Sequence, residues 1–225
     1  MTITKTDKYS ASEQSLGYIY QARLALLHLL QLPEDTAVFL EKDDDLDFID
    51  NDGGKSLASL KHKAVGDRLA DLSIDFWKSV NIWLERYKRD GRSASSLQFF
   101  LFTTGTVSTG SFLARLLPDQ PAPSSDLVPL TELANASLAN SKSQLIAPIA
   151  VSFNELSEPE KQDFLERILI LDGSPRIDDI PSIIRDKHMR SIRREHREFV
   201  FERLEGWWTD AVIKQLTHAR PEGIF

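Results

Sequence analysis

Cysteine is absent from all 225 residues. Disulfides and thiolate metal sites are therefore excluded. No apolar run approaches the roughly 20 residues that a membrane helix needs. The opening MTITKTDKYS is polar and lacks the apolar centre of a signal peptide. The expectation is a cytoplasmic protein with no membrane partner. An excess of basic charge is missing too. The 27 Lys and Arg residues face 34 Asp and Glu, for a net charge of −7. That is not the balance of a general nucleic-acid coat protein, although an acidic chain can still present a basic surface to phosphate. There is no Walker A motif and no evident nucleotide-sensing domain, so any sensor is expected in another subunit or in a region outside this chain.

What is present is unevenly distributed. Residues 34–52 hold nine acids (Glu34, Asp35, Glu41, Asp43, Asp44, Asp45, Asp47, Asp50, Asp52) against the single base Lys42. Residues 185–197 run the other way: Arg185, Lys187, Arg190, Arg193, Arg194 and Arg197 face only Asp186 and Glu195. Hydrophobic content of 41% with 27% charge is that of an ordinary globular chain.

Periodicity organises the first half. A helix is expected over 12–32, with Ser10 and Glu13 at capping-box spacing and Leu32-Pro33 as its stop. Residues 37–41 read as a short strand. Residues 45–49 alternate, with Leu46 and Phe48 on one face. Asn51-Asp52-Gly53-Gly54 is a turn signal, and residues 56–63 read as the returning strand of a hairpin. A helix over 73–89 carries Phe76, Trp77, Val80, Trp83 and Leu84, and residues 97–103 suit a central, doubly covered strand. Residues 118–129 form a Pro/Ser-rich linker or loop, and helices are expected over 130–141, 157–171 and 178–217 with interruptions. The expected division is a core over 1–117, a linker over 118–129, and a mainly helical region over 130–225 as the partner or oligomer interface.

The hairpin carries the chemistry. Asp45 opens one strand, Lys61 lies near the end of its partner, and Glu41 precedes the acidic run. Opposed strands bring such groups to one end of a sheet. Hard cations such as Mg²⁺ (or Mn²⁺) take carboxylate and carbonyl oxygens and keep several waters. A carboxylate-held cation beside a lysine is a hydrolytic arrangement: the cation lowers the pKa of water and neutralises phosphate charge, and the lysine orients the water and stabilises developing negative charge. An acidic run by itself is more often a solvated loop, and alternating polar residues can simply protect an edge strand.

The order helix, strand, Glu/Asp, Asp-hydrophobic, turn, strand, X-X-Lys, helix, strand resembles the layout of the PD-(D/E)XK nuclease core. It implies an α/β fold with a restriction-endonuclease-like α-β-β-β-α-β core. The last motif here is Ser59-Leu60-Lys61, where many members have Glu or Gln at the first position; the carbonyl of Leu60 would then serve as metal ligand. A narrower resemblance rests on Gly17-Tyr18-Ile19-Tyr20-Gln21, Glu41 with Asp44-Asp45, Lys61-His62-Lys63, Leu72-Ser73-Ile74-Asp75-Phe76-Trp77-Lys78, and Arg203-Leu204-Glu205-Gly206-Trp207-Trp208. Together these resemble the double-stranded DNA endonuclease domain used as an effector in bacterial anti-phage systems of the CBASS and Lamassu types. The resemblance implies divalent-metal-dependent cleavage of double-stranded DNA, restrained until a partner senses infection. It implies Asp45 and Lys61 as the catalytic pair, with Glu41 and Asp44 next and Gln21 on the first helix. Asp45, Glu41 and Leu60 are the expected metal ligands. Lys63 is expected to share the sheet face of Lys61 and to contact DNA.

Two other readings stand beside the nuclease: a catalytically inactive nuclease-fold scaffold in a multi-subunit complex, and a DNA-binding adaptor. The stretch 185–197 is open to three readings, as a solvated helix, a DNA-contacting arm through Arg190, Arg193 and Arg194, or a dock for an acidic partner. Trp77, Trp83, Trp207 and Trp208 are expected in the core or at an interface. The restraint expected of such an enzyme points to a sensor or SMC-like ATPase partner engaging residues after 178, with homo-oligomerisation on activation.

Overall fold

The computed structural model describes residues 11–118 and 128–225, with side chains from Gln14 onward. The expected Ser10 cap and most of the 118–129 linker lie outside the described residues. In chain order the elements are α1 (Ala11–Leu29), β1 (Ala37–Leu40), β2 (Leu46–Ile49), β3 (Lys55–Lys61), β4 (Arg68–Leu69), α2 (Ile74–Arg89), β5 (Gln98–Thr103) and β6 (Thr106–Val107). Then follow α3 (Leu130–Asn140), α4 (Ala147–Asn154), α5 (Glu158–Glu166), β7 (Ile168–Leu171), α6 (Ile180–Lys187) and α7 (Arg197–Leu216). The α/β class is as expected. Among the described residues, no helix is long and apolar enough to cross a membrane.

The described residues of Met1–Leu40 and Pro175–Phe225 form one compact unit, and those of Glu41–Ser174 form a second. The sequence-based division at 117 and 130 is therefore not where the packing divides. Two facts account for this. Residues 168–171, expected to continue a helix, form β7 instead and join the sheet of the second unit. A four-residue Ile-Leu-Ile-Leu run carries no period that separates a buried strand from a buried helix turn. The segment after residue 175 returns to α1 and β1.

In the second unit the strands run in the order β2-β3-β5-β7. β2 and β3 form the expected antiparallel hairpin, with Leu46 opposite Ala58 and Ile49 opposite Lys55. Gly53, at φ +83°, turns the chain where a side chain would strain it, and Asp50 N–H closes the turn on Gly54 O at 2.9 Å. β3 then pairs in parallel with β5, and β5 with β7. Parallel neighbours need a crossover, and α2 is the helix that carries the chain from β3 to β5. Its apolar stripe, Phe76, Trp77, Val80, Trp83, Leu84 and Tyr87, is fully buried. Trp83 stacks on Phe99 of β5 at 5.4 Å between ring centroids. An unexpected helix, α4, closes the same core through Ile149 and Phe153.

The first unit is helical around one short strand. Arg23 of α1 pairs with Glu205 of α7 at 2.7 Å. The indole N–H of Trp208 donates to Ala22 O at 2.7 Å. Gln215 closes β1 by accepting from Leu40 N–H (3.1 Å) and donating to Leu40 O (3.3 Å). Val38 and Ile224 exchange backbone bonds of 2.8 and 2.9 Å.

Candidate active site

The acidic run is not one feature but two. Asp47 alternates with Leu46 and Phe48 and so faces away from them, yet all three are buried. β2 is therefore covered on both faces. A carboxylate placed there must be satisfied or it is costly. Asp47 Oδ1 accepts the backbone N–H groups of Asp43 (3.2 Å) and Asp44 (3.1 Å). Its Oδ2 lies 3.3 Å from Lys55 Nζ. Burial still pushes the Asp47 carboxyl above its ordinary range, against the pull of Lys55. Asp43 is consumed in the same way: it pairs with Lys55 and takes Arg86 Nη1 of α2 at 2.7 Å. These two acids shape the loop. Burial opposes the charge on Lys55, but its bonds to Asp43 and Asp47 outweigh that and raise its pKa overall.

The loop so held presents the other acids. Glu41 takes a left-handed φ of +52° and donates its N–H to Asp45 O at 3.1 Å, closing the turn. Asp44 Oδ1 accepts Asp45 N–H at 2.9 Å, and its Oδ2 accepts the indole N–H of Trp83 at 2.7 Å. Asp45 Oδ2 accepts the N–H of Leu60 at 2.6 Å and lies 3.8 Å from Lys61 Nζ. Lys61 in turn donates to Ser59 Oγ at 2.9 Å. The two share one face of β3, as residues two apart must. Ser79 Oγ of α2 sits 2.8 Å from Ser59 Oγ. Glu41, Lys42, Asp43, Asp44, Asp45 and Ile82 line an open cleft of about 260 Å³.

Electrostatics single out the Asp44–Asp45 pair. Burial first, and the neighbouring Asp45 charge second, push the Asp44 carboxyl from 3.8 to about 6; the Trp83 and Asp45 hydrogen bonds and Lys61 pull only partly back. Two adjacent carboxylates of which one is driven toward its neutral form are short of positive charge, and a divalent cation would supply it. Among the described residues no group of three or more His, Cys, Asp or Glu side chains is arranged to hold a metal. Mg²⁺ fits a smaller set, since one or two carboxylates plus retained waters suffice for it.

The structure thus brings Asp45 to Leu60 and Lys61, and places Glu41 and Asp44 along the same cleft as Asp45. Gln21 lies on α1, and Arg190, Arg193 and Arg194 lie between α6 and α7; all four belong to the first unit, and the three arginines are exposed. Lys63 departs from expectation: β3 ends at Lys61, so Lys63 does not share its strand face but sits in the following loop. Its ammonium pairs with Asp75 at the start of α2, and its N–H donates to Thr104 Oγ1 at 2.7 Å. Sequence reasoning missed Asp47, Lys55, Ser79, Trp83 and Arg86 as parts of the site. Only Asp47 carried a signal: an acid between two core positions of a strand.

No protein-family model matches the chain, and no curated protein matches it. Among solved structures it is similar to one described as the Moraxella osloensis Cap4 SAVED/CARF-domain containing receptor, with a TM-score of 0.46 and 15% sequence identity, over 89% of this chain and 43% of that one. The chain therefore spans less than half the length of that structure.

Proposed function

We propose that the second unit is a metal-dependent deoxyribonuclease that cuts double-stranded DNA. The observation that carries this reading is the placement of Asp45 beside Lys61, 3.8 Å apart at the edge of a cleft that Asp44 and Glu41 also line. Asp45 and Glu41, with the carbonyl of Leu60, would hold Mg²⁺ or Mn²⁺. The cation would supply charge neutralisation at the scissile phosphate and an activated water. Lys61 orients the attacking water and meets the negative charge that develops on the phosphate oxygens. Ser59 and Ser79 keep the Lys61 ammonium from wandering, because each flexible lysine torsion left free would weaken that stabilisation. Asp44 contributes charge behind Asp45, and Trp83 fixes its orientation.

A role as effector in bacterial anti-phage defence rests on the sequence motifs that resemble the CBASS and Lamassu endonuclease domains. With it come the further proposals of a cytoplasmic location, a sensor or SMC-like ATPase partner, and activation by homo-oligomer assembly. The test is cleavage of supercoiled plasmid by the chain at high protein concentration, with Mg²⁺ or with EDTA. Wild type is expected to cut with Mg²⁺ only, and Asp45→Asn and Lys61→Ala are expected not to cut. Equal cleavage by wild type and Lys61→Ala would falsify the assignment.

One observation favours a second reading, an inactive nuclease-fold scaffold. Ser59 offers a hydroxyl, tied to Lys61 and Ser79, at the position where an acid would ligate metal. A chain that binds duplex DNA and never cuts it, with or without partners, is the outcome that would establish that reading instead.

A further inference from the structure

We propose that the outer face of α2 is the track along which the DNA phosphodiester backbone passes the cleft, with Lys78 and Arg89 as its phosphate contacts on either side; this rests on the nuclease reading above. Ile82 lines the cleft, which fixes where along α2 the cleft lies. At 3.6 residues per turn, Lys78 lies about 40° to one side of Ile82, Arg86 about 40° to the other, and Arg89 within about 20°. All four therefore share one face of the helix, with the cleft between its two ends. Lys78 and Arg89 are both exposed. They are separated by eleven residues, or roughly 16 Å of helix, which is about five nucleotides at an axial rise of roughly 3.4 Å per strand.

The acids around this face are largely committed. Asp75 is held by Lys63, and Asp43 by Lys55 and Arg86. Glu85 is exposed on the same face and is the opposing charge. Arg89 makes two bonds to Asp90, of 2.7 and 3.3 Å, and lies 4.0 Å from Asp43; with the arginine side chain 55% exposed these contacts are screened by solvent, and a phosphate competes with them for the guanidinium. Arg86 is a strut rather than a contact, because its guanidinium is spent on the loop that carries Asp44 and Asp45. Lys42, at the cleft itself, adds positive charge beside the reacting phosphate. A track of this kind reads no bases, so it predicts binding without sequence preference.

The experiment measures binding of a short random-sequence DNA duplex to the full chain in EDTA, where the proposed chemistry is silent, across a salt series. Each phosphate contact contributes a slope of about 0.9 in log K against log salt. Lys78→Gln with Arg89→Gln is expected to flatten the wild-type slope by about 1.8. Lys78→Arg with Arg89→Lys, which keeps both charges, is expected to leave it unchanged. An unchanged slope in the Gln variant overturns the track, as does an equal loss in the charge-keeping variant or an absence of salt-dependent binding by wild type. Plasmid cleavage with Mg²⁺ is read separately. Cutting with an unchanged Gln slope rejects the track and keeps the nuclease; a flattened slope with no cutting, at high protein concentration and with or without partners, keeps the track and rejects the nuclease.

Discussion

The acidic run 41–47 and the basic run 185–197 look like mirror images as strings of charge, but the fold treats them differently. The acidic run is folded inward and sorted. Asp47 is buried under the loop and Asp43 is locked by cations, while Asp44 and Asp45 face the cleft. The basic run stays outside and is only loosely tied. Arg185 pairs with Glu198 at 2.7 Å and lies over the Phe201 ring, and Arg197 donates to Ile192 O at 3.0 Å. Arg190, Arg193 and Arg194 remain exposed. The run is not the single solvated helix of one sequence reading, since α6 ends at Lys187 and α7 starts at Arg197. Charge density alone says little about function; what matters is whether the fold spends burial on the charge.

The sharpest way to break this contrast is at its most buried point. Asp47→Ala removes the acceptor for two loop N–H groups and one partner of Lys55. It is expected to cost about 3 kcal/mol, with loss of any cleavage, as read from urea denaturation. Next comes Trp83→Phe, which keeps most of the packing on Phe99 and removes only the N–H to Asp44. An expected loss of about 1–2 kcal/mol, again from denaturation, checks that the bond holds the loop.

A smaller and pH-dependent effect isolates Asp44. Its folded pKa of about 6 stands above its ordinary 3.8, so between about pH 4 and pH 6 the native state binds more protons than the unfolded chain. The stabilisation from the neutral carboxyl is complete below about pH 4 and is lost as pH rises through 6. Asp44→Asn lacks this loss. The stability difference between wild type and variant is therefore expected to move in favour of the variant as pH rises across that window, and a pH-independent difference would refute the electrostatic description. At the small end, Arg193→Ala with Arg194→Ala is expected to change stability by no more than about 0.5 kcal/mol. A larger loss would mean that the basic run is as structurally committed as the acidic one.

Much of this was legible in the sequence where local rules suffice. The Asn51–Gly54 turn, the apolar stripe of α2 and the aromatic run of β5 each specify their element, and the hairpin they imply delivers Asp45 to Lys61. The rest depends on distant contacts. Residues 168–171 are a strand because β5 offers a parallel edge 69 residues earlier in the chain. The pairing of Arg23 with Glu205, which helps tie α1 to α7, spans 182 positions and leaves no local trace. Ser79 reaches Ser59 only because α2 packs on β3, a fact that periodicity predicts for the helix but not for that hydroxyl. Strand alternation does not extend to Lys63, because β3 ends two residues before it.

The central claim is that Asp45, with its acidic neighbours, holds a divalent cation next to Lys61, and it is tested most directly by titrating Mn²⁺ into the metal-free chain by calorimetry, independently of any activating partner. The account predicts one site in wild type, lost in Asp45→Asn and retained in Lys61→Ala, whose ammonium opposes the cation. Undiminished binding by Asp45→Asn, or no binding by wild type, would contradict it.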